Sequence, residues 1–159
     1  MNAPIPELNE AMRWQAAIEP AATEIAQALL GFDRAVVRSV DKDYAPRDKM
    51  GAHLPLLGGP KAIELALVGT DTSCRALAAA MLQTTADKLD MPEIADAVGE
   101  ALNMLGGAIK RRFNAPELEL GLPLFVLGHV QKTSSISIVA LPTSFGPIEM
   151  YTLIIGRRG

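Results

Sequence analysis

The stretch Glu24-Ile25-Ala26-Gln27-Ala28-Leu29-Leu30-Gly31 returns in the second half of the chain as Glu100-Ala101-Leu102-Asn103-Met104-Leu105-Gly106-Gly107. Glutamate, side-chain amide and closing glycine keep their places in both copies. Each copy lies in a stretch whose apolar residues recur every three or four positions, the period of a helix with one covered face. Each is followed by three stretches that read as strands, and a shorter helical stretch separates the two sets. This order points to a duplicated unit. It predicts an α+β fold in which six mainly antiparallel strands form one sheet, with the long helices packed on one face.

The first helix is predicted over Leu8 to Leu30, with Ile18, Ala22, Ile25, Ala26 and Leu29 at core spacing. Pro20 falls inside it, where a kink or break is expected because proline lacks the N–H and crowds the preceding turn. Gly31 stops the helix, and the valine-rich Phe32 to Val40 reads as a strand. Asp41 to Met50 mixes both charge signs around a proline and reads as a solvated loop. Strands are predicted at His53 to Leu57 and Ala62 to Val68, joined by Gly58-Gly59-Pro60. Thr70 or Asp71 caps a short helix through Leu82, and a polar linker runs from Gln83 to Leu89. Asp90 caps the second long helix, with Pro92 in its permissive first turn and Glu93 placed for a capping box. That helix runs to Phe113. Three more strands follow at Leu120 to Leu127, Ser135 to Leu141 and Ile148 to Ile155. Pro123 marks a strand start, an edge or a bulge, and Ser144-Phe145-Gly146-Pro147 is a turn.

With 159 residues, 49% of them hydrophobic and 21% charged, the chain suits one globular domain over 1–159. A net charge of −3 gives no basic footprint for nucleic acid. No apolar run approaches the roughly 18 residues a membrane span needs, and the opening MNAPIPELNE has neither the basic start nor the apolar run of a signal peptide. Cys74 is the single cysteine, so no intrachain disulfide can form. A soluble protein of the reducing cytoplasm is expected.

Few motifs carry chemistry. Gly58-Gly59-Pro60-Lys61 lacks the spacing of a phosphate-binding loop. His53 and His129 have no cysteine pair to complete a zinc site and read as ordinary strand or loop residues. The second long helix is more informative. At about 100° per residue, Met91, Ile94, Val98, Leu102, Leu105 and Ile109 share one face, and Glu93, Asp96, Glu100, Asn103 and Gly107 the other. Glu100 and Asn103, three apart, set a carboxylate beside a carboxamide. A polar face opposite an apolar stripe is usually the solvated side of a helix. Here it also carries an interior asparagine and glycines at 99, 106 and 107, each glycine costing about 1 kcal/mol relative to alanine. Such costs suit a surface that a partner must approach closely.

The run Asp96-xxx-Glu100-xx-Asn103, within DAVGEALNMLGGAIK, resembles the motif of the CheC/CheX/FliY family of chemotaxis phosphatases, most nearly its CheX branch. The likeness extends to the helix end at Leu30-Gly31, the strand end Leu56-Leu57-Gly58, the strand Ile63 to Val68, the helix through Met81-Leu82, Leu122-Pro123, and the closing hairpin around Phe145-Gly146. The resemblance implies removal of the phosphoryl group from the aspartate of a phosphorylated CheY-like receiver domain. Asn103 would orient the attacking water, and Glu100 would pair with the receiver's phosphate-contacting lysine. Asp96, Gly99 and Gly107 would meet the partner. No cofactor of its own is implied, since the receiver supplies Mg²⁺, and a homodimer is implied. Gln27 stands where the first copy would need asparagine, so one working site per chain is expected. Two other readings stay open: a non-catalytic receiver-binding or flagellar-switch scaffold, and a structural dimer whose helix face is only solvated.

Overall fold

The computed structural model describes residues 6–59, 61–113, 117–128 and 133–157. In chain order these form α1 (Ala11–Ile25), continued by a π-helical turn (Ala26–Leu30), then β1 (Ala35–Val37), β2 (Met50–Leu57) and β3 (Ile63–Gly69). Next come α2 (Asp71–Leu82), a 3₁₀ turn (Ala86–Lys88) and α3 (Met91–Arg112). The chain closes with β4 (Glu119–Leu120), β5 (Leu124–Val126), β6 (Ile136–Phe145) and β7 (Ile148–Arg157).

The strands make one antiparallel sheet in the order β1-β6-β7-β3-β2-β4, with β5 also on β2. Its layout exposes the duplication. The third strands of the two halves, β3 and β7, pair at the centre, and each half's first strand pairs with the other half's second strand. The six expected strands become seven because the predicted strand Leu120 to Leu127 is split. Both pieces follow β2, β4 at Leu56–Leu57 and β5 at Gly51–His53. Between them Pro123 has no N–H to give a ladder, and Gly121 bonds Pro55 O at 2.8 Å. A Cβ on Gly121 would collide with Pro55 Cγ.

Alternation along the strands sends Ala52, Leu54, Leu56, Leu65, Leu67, Leu141, Ile148, Met150 and Ile154 to the side covered by the helices, where they join Trp14, Ile18, Leu102, Leu105 and Ile109. Full burial of each such large side chain is worth about 1.5–3 kcal/mol. On the other face Ala66, Val68, Ala140, Leu153 and Ile155 pack with Tyr44, which the loop between β1 and β2 lays over them. His53, also facing that way, is buried in β2 and bonded through Nδ1 to Glu64 Oε1 at 2.6 Å. His129 and Pro60 lie outside the described residues.

Three expectations need correction. Helix α1 runs continuously through Pro20, so the expected break does not occur; its buried stripe of Trp14, Ala17, Ile18, Ala21, Ala22 and Ile25 holds it across the lost hydrogen bond. Strand β1 is three residues, not the nine of Phe32 to Val40. Beyond Val37 the chain still follows β6, but through isolated bonds from Arg38 N to Pro142 O and from Asp41 N to Ala140 O. Strands β2, β6 and β7 run longer than predicted. The ends of α1 and α2 are conventional: Gly31 (φ +73°) donates to Ala26 O after the π turn, and Thr70 Oγ1 accepts the Ser73 N–H at 3.1 Å.

Candidate functional site

Helix α3 carries the candidate site, and its sequence fixes it at both ends. Asp90 Oδ1 accepts the Glu93 N–H at 2.9 Å while Glu93 Oε1 accepts the Asp90 N–H at 3.1 Å, completing the capping box. Lys110, Arg111 and Arg112 close the other end, where cations offset the helix dipole. Between them Ile94, Val98, Leu102, Leu105 and Ile109 are buried. The opposite face is thereby turned outward on a helix about 33 Å long.

On that face Asp96, Glu100 and Asn103 are all exposed. Among the described residues none of the three makes a side-chain hydrogen bond or ion pair. An uncommitted carboxylate and an uncommitted carboxamide thus project one turn apart from a rigid element. The amide offers a donor and an acceptor without titrating. Acids at 93, 96 and 100 share the face, but no group of three metal-ligating side chains stands together among the described residues.

The three costly glycines separate. Gly99 is buried: a Cβ there would stand 3.7 Å from Pro123 Cβ, so the surface that closes on it is the chain's own Leu122-Pro123 segment. Gly106 is buried too, and a Cβ would come within 2.8 Å of Leu54 Cδ2 on the sheet. Only Gly107 looks outward. Its Cβ position is open except for Arg111 Nη1, 3.7 Å away. Of the three, Gly107 alone therefore has open space at its Cβ position, whereas Gly99 seats Pro123, beside Leu122, which is 87% exposed. Helical periodicity gave no sign of Pro123 lying over the site helix.

In the first copy the corresponding side chains are committed. Glu24 accepts from Arg111 Nη2 at 3.0 Å and from Arg112 Nη2 at 2.9 Å. Gln27 donates to Asp33 O at 2.8 Å. That bond is the last rung of a ladder with helical spacing. Gln15 donates to Val37 O (3.0 Å), Glu19 accepts from Val37 N (2.9 Å), and Thr23 accepts from Ala35 N (3.1 Å). Residues 15, 19, 23 and 27 thus form one polar stripe that holds the outer edge of β1 and the residues before it. Neither Glu24 nor Gln27 is presented as Glu100 and Asn103 are.

Comparison with known protein families matches residues 54–141 to the family described as chemotaxis phosphatase CheX. No curated protein sequence matches the chain. Among solved structures, the chemotaxis protein CheX of Desulfovibrio desulfuricans shares the fold with a TM-score of 0.71 at 18% identity, over 92% of this chain and 99% of that one. CheX of Borrelia burgdorferi, solved as a CheX–CheY–BeF₃–Mg²⁺ complex, gives 0.64 at 15% identity over 87% and 94%. FliY of Thermotoga maritima gives 0.65 at 15% identity over 96% and 92%. These likenesses are of fold, and the family match, which takes in α3 and its exposed face, goes further. Spanning more than half of the sequence, it shows that the chain belongs to the CheX family.

Proposed function

We propose that the protein dephosphorylates the aspartyl phosphate of a CheY-like receiver domain, using Glu100 and Asn103 of α3. One observation carries this reading: within a chain of the CheX family, a glutamate and an asparagine one turn apart are exposed and uncommitted on a helix fixed at both ends. Asn103 touches the attacking water and aligns it with the phosphorus. The water oxygen bonds to phosphorus as the bond to the aspartate oxygen breaks; the electron pair stays on that carboxylate, and the water's proton leaves with the phosphate. Such transfer needs positioning and charge management more than a strong base. Glu100 pairs with the receiver's lysine, Asp96 and Gly107 border the contact, and Gly99 supports it by seating Pro123. Mg²⁺ is placed on the receiver's side. The proposal includes a homodimer working in the cytoplasm.

The test is the decay of a phosphorylated receiver with and without the protein. Wild type should accelerate it, and Asn103→Ala should lose on the order of 10²-fold of that acceleration, the usual scale for one positioned polar group. An Asn103→Ala variant as fast as wild type would remove Asn103 from the chemistry. The fold likeness to FliY supports a second reading, a receiver-binding or flagellar-switch scaffold. Receiver binding with no faster phosphate loss would decide for it.

A further inference from the structure

Between β4 and β5 the chain changes face. Leu120 lies on the helix side of the sheet, paired with the buried Leu56 and with Cδ2 at 3.3 Å from the Gly106 Cβ position. Leu124, four residues on, is paired with His53 and lies on the other face. Regular alternation would keep both on one side, so the slip is taken up within residues 121–123. Each of these is constrained. Gly121 donates to Pro55 O at 2.8 Å and runs so close to the Pro55 ring that no side chain fits there. Pro123 closes on Gly99 of α3. A residue that precedes proline is biased to extended backbone, which narrows Leu122 as well. Yet Leu122 is the most exposed large apolar side chain among the described residues. A lone exposed leucine is ordinary; one held out on a braced bridge beside the candidate site is not. Gly99 stands one turn from both Asp96 and Asn103 and next in sequence to Glu100, so the bridge flanks the polar row of α3.

Resting on the proposed phosphatase reading, we infer that Leu122 is an apolar docking contact for the receiver, meeting an apolar side chain that flanks the phosphorylated aspartate. The surface is continuous with the α3 face, so a partner seated on Glu100 and Asn103 covers the bridge beside Gly99. A contact held in place beforehand loses little conformational freedom on docking, and more of its burial appears as affinity. Leu122 adds affinity and orientation at the rim, and the chemical step stays with Asn103.

The experiment is a rate-against-concentration series with phosphorylated receiver, at low and high salt, for wild type, Leu122→Ala, Leu122→Met and Leu124→Ala. Urea unfolding and sedimentation of each protein accompany it. Leu122→Ala should raise the half-saturating receiver concentration about five-fold, the scale of partly burying one leucine, with kcat unchanged. The rise should be the same at both salt concentrations, since apolar burial is not screened as charge pairs are. Leu122→Met should recover most of the loss, because methionine restores apolar volume. Leu124 is also exposed but lies on the other face of the sheet, so Leu124→Ala should behave as wild type. The urea midpoint of Leu122→Ala should not move, because the side chain is exposed. Unchanged half-saturation in Leu122→Ala, a rise that disappears at high salt, or an equal rise in Leu124→Ala overturns the inference and leaves the phosphatase reading standing. A shift of Leu122→Ala towards a smaller species in sedimentation also overturns it, assigning the leucine to a contact with a second copy of the chain. Wild type that does not accelerate decay overturns the phosphatase reading, and the inference with it.

Discussion

Thr143 and Thr152 are fully buried in the sheet and share a hydrogen bond of 2.8 Å, while Thr143 Oγ1 also donates to Leu141 O. The Thr152 hydroxyl therefore depends on Thr143. Thr143→Val should cost about 1–3 kcal/mol in urea unfolding, because it leaves a buried hydroxyl without a partner. Adding Thr152→Val should restore part of that loss, a coupling that a double-mutant cycle reads directly. At the same scale, the Glu100/Asn103 pair was legible in the sequence because helical spacing alone puts the two side chains on one face. The commitments of Glu24 and Gln27 were not. Both depend on residues remote in sequence or around a turn, namely Arg111, Arg112 and Asp33, and identical local spacing gives no sign of them.

Among the elements, α1 with its π turn and α3 share the Glu, amide and Gly positions of one short stretch and have different roles. Helix α3 keeps its outward face clear because its caps and its apolar stripe are self-sufficient. Helix α1 spends its polar stripe on β1 and contains Pro20 without breaking. Proline in a helix interior costs about 3 kcal/mol, and here buried packing overrides that preference. Pro20→Ala should consequently stabilise the fold by about 1 kcal/mol or more, part of the helix gain being offset by a more flexible unfolded chain; a higher urea midpoint with an unchanged slope is the expected observation. The capping box at Asp90 was fully readable in advance, since its residues sit within four positions of one another. The truncation of β1 and the split into β4 and β5 depend on how neighbouring strands present their edges, and composition does not encode that.

For the whole molecule, stability in alkali is weakened by acids that the fold keeps protonated, Cys74 and Tyr44 most, with Tyr151 raised in the same direction by burial and by its bond to Asp41. Burial pushes the Cys74 thiol from 9.0 to about 12, with Asp71 adding to the rise, and pushes Tyr44 from 10.0 to about 12, with Tyr151 adding to it. The folded chain keeps these protons where the unfolded chain releases them. Their contribution is therefore complete below about pH 9 and is lost as pH rises towards 12. Unfolding free energy should fall over that window; Cys74→Ala should flatten the slope from pH 9 upward, and Tyr44→Phe from pH 10 upward. At this scale the sequence order was the best guide of all: helix and three strands, twice, is the architecture found, with the first strand of the second unit split into β4 and β5. The exchange of strands between the halves was not readable, because pairing partners are chosen by geometry across the whole sheet.

The polar stripe of α1 also bears on how the protein can assemble. An exposed edge strand offers its free N–H and C=O groups as a template to any passing extended chain. At β1 the outward groups of Ala35 and Val37 are already bonded to Gln15, Glu19 and Thr23. Strand addition is blocked at that end of the sheet, which leaves at most one end for recruitment of another chain through backbone pairing. One-sided recruitment ends at a pair, whereas a sheet open at both ends could run on into a fibre.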